Sequence, residues 1–342
     1  MSVRAFITGL SGSGVTADER AFLRDAAPWG LILFRRNIED PDQVRRLTAE
    51  CRAILGRDAP VLVDQEGGRV QRLGPPHWPV YPPGAVFGRL YGLDKTLALA
   101  AASLGAQLMA SDLRAIGIDV DCLPVADVPV TASDPVIGDR AYGDTPAQVA
   151  ALAAAAADGL LKGGVLPVVK HLPGHGRATA DSHLTLPVVG ADRETLEATD
   201  FEAFRPLAAL PLGMTAHVVF SAIDPVAPAT TSAIMVQDVI RGSIGFKGLL
   251  MSDDVSMKAL SGTLASRAGA AIAAGCDVVL HCNGDPAEMR EVAEASPLLA
   301  GAAARRADAA LALRMQPQSI DLVESRSRFS SMIGAVTGSA VA

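Results

Sequence analysis

Aromatic residues are scarce in this chain, with 9 Phe, 3 Tyr and 2 Trp among 342 residues, and no block of Lys or Arg offsets a formal net charge of -7. Stacking platforms and a basic footprint are what nucleic-acid binding ordinarily needs, so no nucleic-acid partner is expected. Cysteine is equally sparse. Cys51, Cys122, Cys276 and Cys282 form no CxxC pair, which is too little for a disulfide framework in a chain of this length and fits a reducing compartment. The first residues, Met1-Ser-Val-Arg-Ala-Phe-Ile-Thr-Gly9, lack the basic start and apolar core of about 7–15 residues that marks a signal peptide, so a cytoplasmic location is expected. Long apolar runs are missing too. The longest uncharged stretch, Pro206 to Ile223, holds two prolines, a glycine and His217; it reads as a loop followed by a buried strand, and no membrane partner is expected. No Pro/Gly/Ser linker divides the chain, and no repeat of about 20–50 residues rises above its basic rhythm.

That rhythm consists of short Val/Ile/Leu runs alternating with longer Ala/Leu/Glu/Arg segments, the pattern of repeated βα units. Eight runs read as strands: Ala5 to Thr8, Gly30 to Phe34, Val61 to Asp64, Val120 to Pro124, Pro167 to Lys170, Gly213 to His217, Gly248 to Ser252 and Cys276 to His281. Helical stretches lie between them, such as Asp94 to Ile116 and Thr145 to Lys162, and Thr16 with Glu19 three residues on reads as a capping box. A doubly wound sheet would show fewer strands, so the expected fold is α/β: a single-domain (β/α)8 TIM-type barrel over residues 1–310, with a peripheral C-terminal tail at 311–342.

In such a barrel the reactive groups gather at the carboxyl ends of the strands. Asp64, Gln65 and Glu66 follow the third strand and Asp127 the fourth; Lys170 and His171 end the fifth, His217 the sixth, Asp253 and Asp254 the seventh, and Asn283 follows the eighth. One Asp at a strand end serves as readily as a helix cap. Six such ends together point to a site. The densest segment runs from Lys170 to His183 and holds three of the six histidines. His171 and His175 would share a metal if helical, but Pro173, Gly174 and Gly176 break any helix there, so no metal is expected. Asp181 and His183, two apart, suit a carboxylate that fixes an imidazole tautomer for acid/base work, with a solvated surface histidine as the plainer reading. A carboxylate such as Asp253 facing that proton donor is the minimum apparatus for displacement at an acetal carbon. Arg72, Arg140 and Lys170 would supply donors to sugar hydroxyls and an acyl group, or serve in surface pairing. Gly9 to Gly14 lacks the ending of a phosphate loop and reads as a βα turn. Cys276 and Cys282 flank an apolar strand and read as packing.

The segment Lys170-His-Leu-Pro-Gly-His-Gly-Arg-Ala-Thr-Ala-Asp-Ser-His-Leu-Thr-Leu-Pro187 resembles the signature loop of family 3 glycoside hydrolases of the β-N-acetylhexosaminidase type. Stretches agreeing in order include Gly30-Leu-Ile-Leu-Phe-Arg-Arg-Asn37, Val63-Asp-Gln-Glu-Gly-Gly-Arg-Val-Gln-Arg72, Ile137-Gly-Asp-Arg-Ala-Tyr142, Met214-Thr-Ala-His217 and Met251-Ser-Asp-Asp-Val-Ser-Met257, covering about residues 5–300. The resemblance implies Asp253 as nucleophile, His183 as acid/base with Asp181 as its partner on a mobile loop, and Asp64, Arg72, Arg140, Lys170 and His171 as holders of a terminal N-acetylglucosamine. It implies a cofactor-free, retaining exo-hydrolase of GlcNAc-1,6-anhydroMurNAc muropeptides in peptidoglycan recycling, and a monomer is expected. A β-N-acetylglucosaminide phosphorylase using the same Asp/His site is the alternative. Leu172 departs from the phenylalanine common in the family, and the tail after Gln316 is not covered.

Overall fold

A computed structural model of the chain describes residues 2–131, 133–182 and 184–337. Eight parallel strands close into a barrel: β1 (Arg4–Thr8), β2 (Pro28–Leu33), β3 (Val61–Val63), β4 (Val120–Asp121), β5 (Leu166–Leu172), β6 (Leu212–Thr215), β7 (Leu249–Asp254) and β8 (Val278–His281). Each strand pairs with its neighbours in sequence, and β8 closes the ring onto β1 through Phe6 opposite Val279. This is the expected TIM-type barrel, with all eight strands where the apolar runs placed them.

Strand pleating sorts the residues into two layers. Ile7, Leu62, Val168, Met214, Met251 and Leu280 fill the barrel interior. The alternate residues, such as Leu31, Val61 and Val63, face the helices and pack against Val44 and Leu47 of helix Pro41–Leu55. Helix Ala17–Ala26 starts with the expected capping box, Thr16 accepting from Glu19 N at 3.2 Å and Glu19 accepting from Thr16 N at 2.9 Å. Gly9 to Gly14 is the turn that leads into it, with Ser11 N donating to Glu19 Oε1 at 2.8 Å. Helix Lys95–Arg114 is long and apolar enough by length and composition to cross a membrane, a feature the uncharged-run criterion passed over. Here its Ala face is buried between neighbouring helices, at Ala98, Ala101, Ala102 and Ala106. At the barrel's amino end, Asp119 pairs with Arg52 and Arg314, and Asp277 with Arg241 and Arg306.

The segment after residue 310 is largely helical and packs on the outer helices of the barrel. The boundary falls inside helix Gly301–Ala312, and a further helix, Leu322–Thr337, docks on the barrel. Phe329 and Ile333 are buried, and the Phe329 ring lies 6.3 Å from Phe87 and 6.4 Å from Tyr81. Residues 329, 332, 333 and 336 carry its apolar stripe at helical spacing, and the polar composition around them hid it.

Candidate active site

The two-residue period of the strands decides which polar side chains reach the barrel mouth. Leu62, Val168 and Met251 point inward, and two residues further on stand Asp64, just past β3, Lys170 on β5 and Asp253 on β7. The β5 and β7 registers slip between Val169 and Leu172 and between Met251 and Asp254, irregularities of the kind that re-aim side chains next to a site. The mouth holds a cleft of about 410 Å³ lined by Asp64, Glu66, Arg72, Arg140, Lys170, His171, Asp181 and Asp253, with Phe34, Arg36, Met257 and Cys282 among its walls. Seven of the eight site residues expected from sequence therefore meet there. The eighth, His183, lies outside the described residues.

The Asp253–Asp254 pair divides its work. Asp254 accepts from Ser256 N at 3.0 Å, Cys282 N at 3.2 Å and Ser256 Oγ at 2.7 Å, so both its oxygens are engaged in the loop. Among the described residues Asp253 accepts one bond, from Asp254 N at 2.8 Å, and it lines the cleft. Burial would raise its carboxyl, but the nearby imidazoles of His217 and His171, the Asp254 N–H and Lys170 hold it below the usual range. His217 is fully buried and braces this strand end: Nε2 donates to the Asp254 carbonyl at 2.9 Å, with Nδ1 2.7 Å from Thr230 Oγ1.

Across the cleft, Asp64 accepts from Lys170 Nζ at 3.0 Å and from Arg72 Nη2 at 2.8 Å. Glu66 accepts from Lys170 Nζ at 2.6 Å and takes Arg140 in a two-toothed grip, Nε and Nη2 each at 2.8 Å. Desolvation works against both carboxylates, yet Lys170 and Arg72 hold Asp64 far below the usual range, and Arg140 with Lys170 brings Glu66 down to about 2. The same pairs outweigh the desolvation of Lys170 and Arg140 and push both upward. The turn that presents Glu66 depends on its glycines. Gly67 and Gly68 have φ of +92° and +58°, and a Cβ on Gly67 would stand 2.3 Å from Pro82 O. Gln65 pins the hairpin's far side, its Oε1 accepting from Arg72 N and Leu73 N at 3.0 Å each. Arg72 also lies over the Phe34 ring at 5.2 Å, as does Arg36 at 5.1 Å.

Asp127, fully buried, organises the β5 end. Its Oδ2 lies 2.7 Å from His171 Nδ1, and its Oδ1 accepts from His175 N at 2.6 Å and His171 N at 3.3 Å. A carboxylate accepts only, so His171 Nδ1 carries the proton and Nε2 is the nitrogen left for a ligand. Burial, with His171 beside it, lowers His175 to about 4. The Lys170–His171 and Leu172–Pro173 peptides are cis. The loop carrying Asp181 leaves from a stem fixed by Arg177, which donates to Asp200 Oδ2 at 2.5 Å and Thr199 Oγ1 at 2.8 Å. Among the described residues, no three His, Cys, Asp or Glu side chains are grouped to hold a metal ion. Glu66 and Asp127 were visible at strand ends, but nothing in the sequence announced their partners, which lie 74 and 44 positions away.

A closed (β/α)8 barrel with carboxylates and cations over one mouth is an arrangement suited to glycoside hydrolysis. Residues 5–308 match the model of the glycosyl hydrolase family 3 N terminal domain. The chain belongs to that family and is a β-hexosaminidase. It is 41% identical over 305 residues to the β-hexosaminidase of Alkalilimnicola ehrlichii, covering 87% of each chain, and 43% identical over 278 residues to that of Methylococcus capsulatus, covering 80% and 81%. Among solved structures, NagZ from Neisseria gonorrhoeae in complex with N-trifluoroacetyl-D-glucosamine aligns with TM-score 0.84 and 33% identity, over 99% of this chain and 98% of that one.

Proposed function

We propose that the protein is a retaining exo-β-N-acetylglucosaminidase that removes terminal β-linked GlcNAc from GlcNAc-1,6-anhydroMurNAc muropeptides. One observation carries the reading: Asp253 stands in the cleft with one oxygen bonded to the backbone, and its surroundings favour the ionised form. A carboxylate kept charged and lightly bonded is suited to attack an anomeric carbon. Attack expels the aglycone oxygen, which takes a proton from His183; a water then hydrolyses the glycosyl–Asp253 ester, giving its proton back to His183. Asp181, in the cleft wall, orients that imidazole. Asp64, Arg72, Arg140, Lys170 and His171 bind the terminal sugar. Four unpaired, buried cysteines support a cytoplasmic setting.

The test is release of nitrophenol from 4-nitrophenyl N-acetyl-β-glucosaminide, and of GlcNAc from the anhydro-disaccharide peptide, with and without phosphate. Turnover indifferent to phosphate, with β-GlcNAc as first product by NMR, is expected. GlcNAc 1-phosphate as the main product would replace the hydrolase by a phosphorylase. The α-anomer as first product would overturn the retaining mechanism.

A further inference from the structure

We propose that Glu66 is a positioning residue that holds Arg140 and Lys170 at one fixed spacing, so that their remaining N–H groups meet the terminal sugar together. The inference rests on the reading of Arg140 and Lys170 as sugar-binding groups. Both Glu66 oxygens are occupied by protein: Oε1 by Lys170 Nζ at 2.6 Å and Arg140 Nη2 at 2.8 Å, Oε2 by Arg140 Nε at 2.8 Å. Its side chain is 3% exposed, against 15% for Asp64. Glu66 therefore acts through its neighbours, whereas Asp64 keeps access to the cleft.

The donor count shows what that arrangement leaves. Arg140 has five N–H groups, of which two go to Glu66 and one from Nη1 to Val136 O at 3.1 Å. Two remain. Lys170 has three, of which one goes to Asp64 at 3.0 Å and one to Glu66, leaving one. A planar guanidinium gripped at two points cannot rotate, so the directions of its two remaining donors are set by Glu66. Lys170 is a compact charge on a long stem, already held by Asp64, and Glu66 supplies its second anchor. The charge count agrees. Without Glu66, a guanidinium and an ammonium group, both nearly buried, face each other across the space its carboxylate fills, and repulsion parts them.

The experiment compares wild type, Glu66→Gln, Arg140→Gln and the double variant, reading kcat and KM on 4-nitrophenyl N-acetyl-β-glucosaminide, GlcNAc affinity by calorimetry, and Tm. The Gln amide keeps the shape but turns a donor toward donors. Expected is a rise of about tenfold or more in both KM and the GlcNAc Kd with kcat changed less than about threefold, since loss of uniform binding raises KM alone. The double variant should bind GlcNAc within about twofold of the weaker single variant, because both changes disable the same pair. A merely structural glutamate would lower Tm and leave KM and the GlcNAc Kd within about twofold of wild type, overturning the proposal; so would effects that multiply in the double variant. If Glu66→Gln fails to fold, Glu66→Asp keeps the charge but cannot span both cations, and wild-type affinity in it would overturn the proposal equally. Wild-type turnover and the attachment point of the glycosyl ester are measured in the same series. A failure of the functional reading would show there, independently of Glu66.

Discussion

Asp127 makes no contact with the reacting bond in our reading, yet its replacement should damage both stability and turnover in separable ways. It is fully buried and accepts three hydrogen bonds, from His171 Nδ1 at 2.7 Å, His175 N at 2.6 Å and His171 N at 3.3 Å. Asp127→Ala strands three buried donors. Removing one partner from a buried charged network costs about 3–5 kcal/mol, and at about 2 °C per kcal/mol for a domain of this size the expected Tm loss is about 6–10 °C. Asp127→Asn behaves differently. Its carbonyl can still serve the two backbone N–H groups, but its NH2 faces His171 Nδ1, which must then give up its proton and move it to Nε2. The nitrogen left for the sugar changes from acceptor to donor, so a stability loss of about 1–2 kcal/mol should accompany a fall of about 100-fold in kcat/KM, the weight of one charge-assisted hydrogen bond. Urea unfolding and steady-state kinetics on both variants decide it. An Asn variant within about threefold of wild-type activity, or an Ala variant within about 0.5 kcal/mol of wild-type stability, would refute the assignment of Asp127 as the group that sets the His171 tautomer.

Acid should destabilise the protein through three of its buried carboxylates, against the opposite pull of Asp121 and Asp200, which burial shifts upward. Asp127 and Glu66 fall to about 2 in the folded state and Asp64 lies lower still, so the unfolded chain binds more protons. Their contribution is present above the ordinary carboxyl values near 4 and is lost as pH falls toward 2. His175, lowered from 6.5 to about 4, stays neutral when folded and adds its own loss between those values. Urea midpoints that do not fall between pH 6.5 and 3 would contradict this. Gly176→Ala would place a Cβ 2.1 Å from Val128 O, so it should cost several kcal/mol or displace the loop stem beneath Asp181, visible as lowered Tm or kcat; an unchanged variant refutes that packing. Phe329→Ala should cost about 3 kcal/mol and release helix Leu322–Thr337 to proteases, as burial against Gly105 and Phe87 requires. Unchanged proteolysis would show that the helix does not depend on this contact.

What the sequence made legible was whatever depends on local period. All eight strands showed as apolar runs, and Asp64, Lys170 and Asp253 showed as polar residues at their carboxyl ends, although the irregularities in β5 and β7 that help aim Lys170 and Asp253 did not. The docked helix Leu322–Thr337 had a readable stripe at 329, 332, 333 and 336, obscured because its few apolar residues stand among Ser and Arg. Pairings over long separations were not readable. That Glu66 serves Arg140 and Lys170, or that Asp127 serves His171, follows from where the barrel brings β3, β4 and β5, which no local pattern encodes.

The central claim is a covalent glycosyl ester on Asp253. A fluorinated N-acetylglucosaminyl fluoride, activated at the leaving group and slowed in deglycosylation, should inactivate the enzyme in a time-dependent way, and peptide mapping by mass spectrometry locates the label. The account predicts one sugar per chain on Asp253, with no labelling of Asp253→Ala. A label on Asp254, on Asp64 or on no residue while turnover continues would contradict it.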